Sequence, residues 1–97
     1  MKHFRVFLRG ENFLLTVDGQ QTRMGFYTTR FVQANNQESA ELLAVDLLRN
    51  DKKLRGVANL RSDPPMIFAD EIEEVAADDV PESSSGFTFF THDGSAA

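Results

Sequence analysis

The sequence predicts an α+β fold: an antiparallel sheet in the order β-β-β-α-β-β, open to a further C-terminal strand, with one helix packed on one face. Three observations lead there. Apolar and polar residues alternate with a period of two through much of the first third of the chain. A single stretch of helical periodicity follows. Beyond it, proline and charged residues divide the remainder into short strand-like runs.

His3 to Arg9 sets Phe4, Val6 and Leu8 on one side and Arg5, Phe7 and Arg9 on the other, the alternation of a strand. Gly10-Glu11-Asn12 has turn composition. Phe13 to Val17 is a short apolar run ending at Asp18-Gly19, a pair suited to a tight hairpin because glycine accepts positive φ without strain. Arg23 to Ala34 is the longest strand candidate, with Gly25 as the position for a bulge. Asn35 or Asn36 is suited to cap a helix by accepting from the free amides of its first turn, with Glu38 able to reach back to the cap. Ala40, Leu43, Ala44, Leu47 and Leu48 then recur at i, i+3, i+4, i+7 and i+8. They predict a helix over about 36–50 whose stripe faces the sheet, with Leu43, Leu47 and Phe31 as core residues.

Leu54 to Leu60 reads as a short strand or irregular chain, and Asp63-Pro64-Pro65 as a turn, since proline cannot continue a ladder. Met66 to Val75 has strand character among many carboxylates, which assigns it to a sheet edge or a wet face. The domain organisation expected from this pass is one α+β domain over 1–77, a linker-like segment over 78–86, an aromatic strand or patch over 87–90 that packs on the domain, and a disordered tail over 91–97. A chain of 97 residues fits one domain with a modest core.

The net charge is −5, and its distribution says more than its sum. Residues 1–62 hold ten Lys plus Arg against six Asp plus Glu, whereas residues 63–97 hold nine acids and no Lys or Arg. This split disfavours nucleic acid as a partner, because neutralising phosphates needs a net basic surface. The strand from Met24 to Val32 mixes aromatic and basic residues as base-stacking strands do, but core and hairpin packing explains it better in an acidic domain. There is no cysteine, hence no disulfide, thiolate ligand or cysteine nucleophile, and the chain suits a reducing compartment. Met1 to Gly10, with Lys2, Arg5 and Arg9 among apolar residues, is neither a signal peptide nor a membrane span, so the expected location is cytoplasmic and no membrane partner is expected.

No motif carries catalytic, cofactor-binding or metal-binding chemistry. The carboxylates Asp70, Glu71, Glu73 and Glu74 are of the type hard cations prefer. Strand geometry, however, puts Asp70 and Glu74 on one face and Glu71 and Glu73 on the other, which predicts a solvated edge. His3 and His92 stand at opposite ends of the chain, and the neighbouring His92-Asp93 pair lacks the geometry of a catalytic dyad. The glycines are scattered singly, so no phosphate-cradling loop is formed.

In layout, a hairpin over Phe4 to Val17, a third strand ending at Ala34 and an Ala- and Leu-bearing helix after Glu38 resemble the strand-strand-strand-helix half of HicB-type antitoxins. That family's glycine- and proline-bearing segment before the third strand is absent here, as is an appended DNA-binding domain. The strings Gly25-Phe26-Tyr27-Thr28-Thr29-Arg30-Phe31-Val32 and Gly86-Phe87-Thr88-Phe89-Phe90 look more like those of small bacterial proteins of uncharacterised function. That resemblance implies no activity.

Nine phenylalanines are more than one helix–sheet interface can cover, so a second face must be covered by the Phe87 to Phe90 patch or by another subunit. The expected function is a small non-enzymatic interaction module. It forms a homodimer through its sheet, and its interaction surface comprises Asp70, Glu71, Glu73, Glu74, Phe87, Phe89 and Phe90, the acidic part facing a basic protein partner. The alternative, from a different class, is a small-molecule or anion-binding regulatory domain with Arg9, Arg23 and Arg30 as anion contacts.

Overall fold

The computed structural model describes residues 1–51, 54, 59, 62–81 and 86–91. Strands β1 (Lys2–Val17) and β2 (Gln20–Ala34) are followed by helix α1 (Gln37–Arg49), strand β3 (Met66–Val75), a single 3-10 turn at Ala77–Asp79 and strand β4 (Phe87–Thr91). The four strands form one antiparallel sheet in the order β3-β1-β2-β4. The fold is therefore α+β, with α1 on one face of the sheet.

The first two strands follow from local chemistry. Val17 pairs with Gln20 across a two-residue loop, and Asp18 and Gly19 have φ of 51° and 82°. This is the doubly positive turn whose twist matches that of the flanking strands. The sequence predicts three strands before the helix; two long ones form instead. Gly10-Glu11-Asn12 does not turn the chain but makes a bulge, because Gly10 pairs with Phe26 and Phe13 with Met24, leaving Glu11 and Asn12 opposite Gly25 alone. Asn12 takes the left-handed conformation, φ 62°, which its short polar side chain tolerates better than most. The bulge expected at Gly25 thus has its extra residue on the partner strand.

The alternation fills one face. Phe4, Val6, Leu8, Phe13 and Leu15 of β1 and Met24, Phe26, Val32 and Ala34 of β2 are buried on the face of the sheet that carries the helix. An added Cβ at Gly10 would run into the Phe26 ring, so this ring covers the glycine backbone directly across the pair. Phe26 is also the centre of an aromatic cluster, with centroids at 5.1 Å to Phe13, 5.1 Å to Phe87 and 5.9 Å to Phe89.

Helix α1 begins where the Asn36 side chain accepts from the Ser39 amide at 2.8 Å and ends at Asn50, whose side chain donates to the Asp46 carbonyl at 2.9 Å. Its buried residues are Ala40, Ala44 and Leu48, while Leu43 and Leu47 are 45% and 50% exposed. The expected core assignment of those two leucines is therefore corrected. The five apolar positions span a wide arc. With Ala44 at its contact point, Ala40 and Leu48 lie about 40° to either side, Leu47 about 60° and Leu43 about 100° away. The sheet beneath is already filled by phenylalanine rings, and two alanines let the helix approach it closely. Phe31 is also corrected: it is half-buried on the opposite face of the sheet.

Leu54 is buried; most of the remaining 54–60 stretch, residues 82–85 of the 78–86 linker and residues 92–97 of the tail lie outside the described residues. Strand β4 does not fold over the second face but extends the sheet beside β2, with Phe89 opposite Phe26 and Phe90 opposite Gly25. Phe87 and Phe89 join the helix-side core, and Phe90 stands on the other face.

Two truncations test the helix rotation. Leu48→Ala is expected to cost about 2–5 kcal/mol in denaturant titration, as buried leucines do, whereas Leu47→Ala costs about 0.5 kcal/mol or less. The reverse order would mean that the helix presents its other stripe to the sheet.

Candidate functional site

The residues singled out in the sequence fall on opposite edges of the sheet. Strand β3 is the outer neighbour of β1 and β4 the outer neighbour of β2, so Asp70, Glu71, Glu73 and Glu74 lie at one edge and Phe87, Phe89 and Phe90 at the other. They form two surfaces, not one.

At the β3 edge, register decides what each carboxylate meets. Arg5 pairs with Glu73 and Phe7 with Glu71, whereas Leu8 pairs with Ala69, so Asp70 is the extra residue of a second bulge. Glu71 and Glu73 consequently flank Arg5, each 3.5 Å from its Nη2. Asp70 receives the Arg9 Nε at 2.9 Å, and Glu11 approaches Arg9 Nη1 at 2.6 Å. The Arg9 guanidinium also lies over the Phe68 ring at 4.5 Å, a cation–π contact. Lys2 reaches Glu74 at 3.8 Å. Basic residues of β1 thus stand behind a row of acids on β3, the charge halves of the sequence brought side by side. Glu71, Glu73 and Glu74 keep well over half of their side-chain surface in solvent, so each pair contributes only about 0–1 kcal/mol. The acids remain the outermost charges.

At the other edge the aromatic residues stack. Phe87 and Phe89 lie 5.4 Å apart and nearly parallel on the helix side. On the opposite face Phe90 packs on Tyr27 at 5.2 Å and Tyr27 on Phe7 at 5.6 Å, a ladder running obliquely across β4, β2 and β1.

Arg9, Arg23 and Arg30 do not converge. Arg9 and Arg23 lie on the face away from the helix and Arg30 on the helix face, and each meets a carboxylate. Arg30 is the least expected, since its side chain is 8% exposed. It reaches Asp51 at 3.2 Å, donates to Thr28 Oγ1 at 2.5 Å and to the Thr29 carbonyl at 3.0 Å, and lies over the Phe87 ring at 4.9 Å. Thr28 in turn donates to the Gly86 carbonyl at 2.5 Å. A buried charge survives only when paired and hydrogen-bonded, and this one ties β2, the end of α1 and the start of β4 together. Its position was readable: Met24, Phe26, Thr28, Arg30 and Val32 are one face of a period-two strand.

A second polar network surrounds the β1 bulge. Asn59 accepts from the Leu14 amide at 2.9 Å and donates to the Asn12 carbonyl at 2.7 Å, satisfying backbone groups at the bulge. Asn12 donates to Asp63 Oδ1 at 2.9 Å, and Arg23 donates to Asp63 Oδ2 at 2.9 Å and to Asn12 Oδ1. Hydrogen bonds from Asn12 first and Arg23 second hold the Asp63 carboxyl below its ordinary value of 3.8. Nothing local in the sequence marks this network, because Asn59 and Asp63 stand 40 or more positions from the strand residues they meet.

Among the described residues no group of three or more His or carboxylate side chains is placed to hold a metal ion. No described helix is long and apolar enough to cross a membrane. His3 sits on β1 opposite Val75, and His92 lies outside the described residues. What sequence reasoning missed is the outer surface of α1. Leu42 is 65% exposed, and a shallow hollow of about 550 Å3 lies beside it, lined by Glu41, Leu42, Leu43, Val45, Asp46 and Arg49.

The Asp63 network makes a pH prediction. A carboxyl whose pKa is depressed by folding contributes stability in full above its unfolded value, and that contribution is lost as pH falls through the lower folded value. Asp63→Asn is therefore expected to lower Tm at pH 7, with the gap to the parent closing below about pH 4. A gap unchanged down to strongly acidic pH would mean that the carboxylate charge is not what the network uses.

No protein-family model, curated protein or solved structure matches the chain.

Proposed function

We propose that the protein is a small cytoplasmic interaction module, non-enzymatic, that self-associates as a homodimer and offers its β3 edge to a basic protein partner. The observation that carries the partner reading is the combination at that edge. β3 pairs with β1 on one side only, so among the described residues its outer backbone groups face no further strand. Along it Glu71, Glu73 and Glu74 are exposed. An extended basic segment fits such an edge, its main chain adding as a strand and its lysines or arginines meeting the carboxylates. Charge complementarity of this kind sets approach rate and specificity more than raw affinity. The absence of cysteine supports the cytoplasmic part of the reading.

Self-association is supported by apolar surface outside the core. Leu42, Leu43 and Leu47 of α1 and Tyr27 on the open sheet face are each at least 40% exposed. The three leucines share one helix, and apolar surface gathered on one element marks interaction sites more often than isolated exposed residues do.

Titration of the full chain with a lysine-rich peptide, followed by amide chemical shifts, tests the partner reading. The expected result is shifts centred on 66–75, binding that weakens as salt rises, and a loss of about tenfold or more in the Glu71→Gln/Glu73→Gln/Glu74→Gln variant. Shifts that avoid β3, or equal binding by the triple variant, would contradict it.

A further inference from the structure

We infer that the homodimer forms through the outer face of α1, with a second copy of the helix packed antiparallel on the first. This rests on the self-association part of the reading above and is independent of the β3 edge. Glu38, Leu42, Val45 and Arg49 stand at i, i+4, i+7 and i+11 and form one stripe along the helix, its centre turned away from the Ala40, Ala44 and Leu48 contact with the sheet and its Val45 margin packed against the core. Leu42 is 65% exposed, and Val45 is half-buried beside it. The 550 Å3 hollow lies along this stripe, with Leu42, Val45 and Arg49 in its lining.

The stripe is complementary to itself. A two-fold axis beside the midpoint between Leu43 and Ala44 leaves Leu42 and Val45 each about 2 Å from that midpoint along the helix, and Glu38 and Arg49 each about 8 Å from it. An antiparallel partner therefore sets Leu42 against Val45 of the second copy, and Glu38 against Arg49 of the second copy, each contact made twice. A parallel partner would oppose Glu38 to Glu38 and Arg49 to Arg49. Neither Glu38 nor Arg49 has an ion-pair partner among the described residues. The antiparallel arrangement also opposes the helix dipoles, acidic first turn against basic last turn. Knob-like Leu42 side chains entering the hollow on each partner would remove the most exposed leucine of the helix from water.

Sedimentation equilibrium of the full chain at low salt tests this. The parent is expected to have the mass of a dimer at micromolar concentration. Leu42→Lys, at an exposed position that keeps a good helix former, is expected to be monomeric with the far-UV circular dichroism of the parent. Glu38→Arg and Arg49→Glu should each weaken the dimer by about tenfold, and the doubly reversed chain should recover most of that loss, because the pair is restored with its signs exchanged. A monomeric parent, a dimer unaffected by Leu42→Lys, or a double reversal no tighter than the single ones would overturn the proposal. Binding of the lysine-rich peptide is read on the same variants: its persistence in monomeric Leu42→Lys separates the dimer interface from the β3 edge, so that the two fail independently.

Discussion

Strand β1 is the member on which the rest of the structure depends, because it is paired on both sides. Over His3–Gly10 it shares ladders with β2 and β3 at once, and its alternating side chains supply the floor of the core on one face and the arginines of the other. A one-residue slip would exchange those faces, placing Arg5 and Arg9 under the helix and Val6 and Leu8 in water. The register is held at the tight end by the Asp18-Gly19 turn and further along by the bulge at Glu11 and Asn12. That bulge is in turn held by the Asn59 and Asp63 side chains, which bring the far half of the chain back onto β1.

The same alternation explains why the two edges of the sheet have different characters. On the β3 side, acids meet the arginines that β1 must direct away from the core. On the β4 side, phenylalanines meet aromatic residues and a glycine whose flat surface accepts them. Phe90 covers Gly25 much as Phe26 covers Gly10, so each glycine is a place where a ring lies directly on backbone. Arg30 breaks the pattern by being charged on the core face, and its environment of Asp51, Thr28 and the Phe87 ring shows what a buried guanidinium requires: a counter-charge, acceptors and an aromatic surface. A hydrophobic residue of similar volume at that position would not reach both the end of α1 and the start of β4 with directional bonds.

Elements with strong local signals were legible in the sequence. The Asp18-Gly19 turn, a cap at Asn35 or Asn36, the α1 helix and β3 as a strand at an edge or on a wet face were all read from local pattern. The failures have a common cause, which is that they depend on what a neighbouring element already occupies. Gly10-Glu11-Asn12 has the composition of a turn and becomes a bulge, because the partner strand continues alongside it. Leu43 and Leu47 fit a helical stripe as well as Ala40 and Ala44 do. Only the bulk of Phe26 and its neighbours on the sheet decides that small residues face inward. The carboxylates of β3 were legible as a group, but the arginine each one meets is set by the Asp70 bulge, a long-range feature of register.

The proposed function builds on this arrangement: among the described residues no further strand pairs with β3, and the outer face of α1 is exposed at Leu42. Its central claim is that β1 is the most firmly held strand, and amide hydrogen exchange under native conditions tests that most directly. The account predicts that amides of Phe4 to Gly10 exchange slowest, with opening free energies near the global stability, while those of β4 exchange through smaller, local openings. Exchange from β1 as fast as from β4 would contradict it.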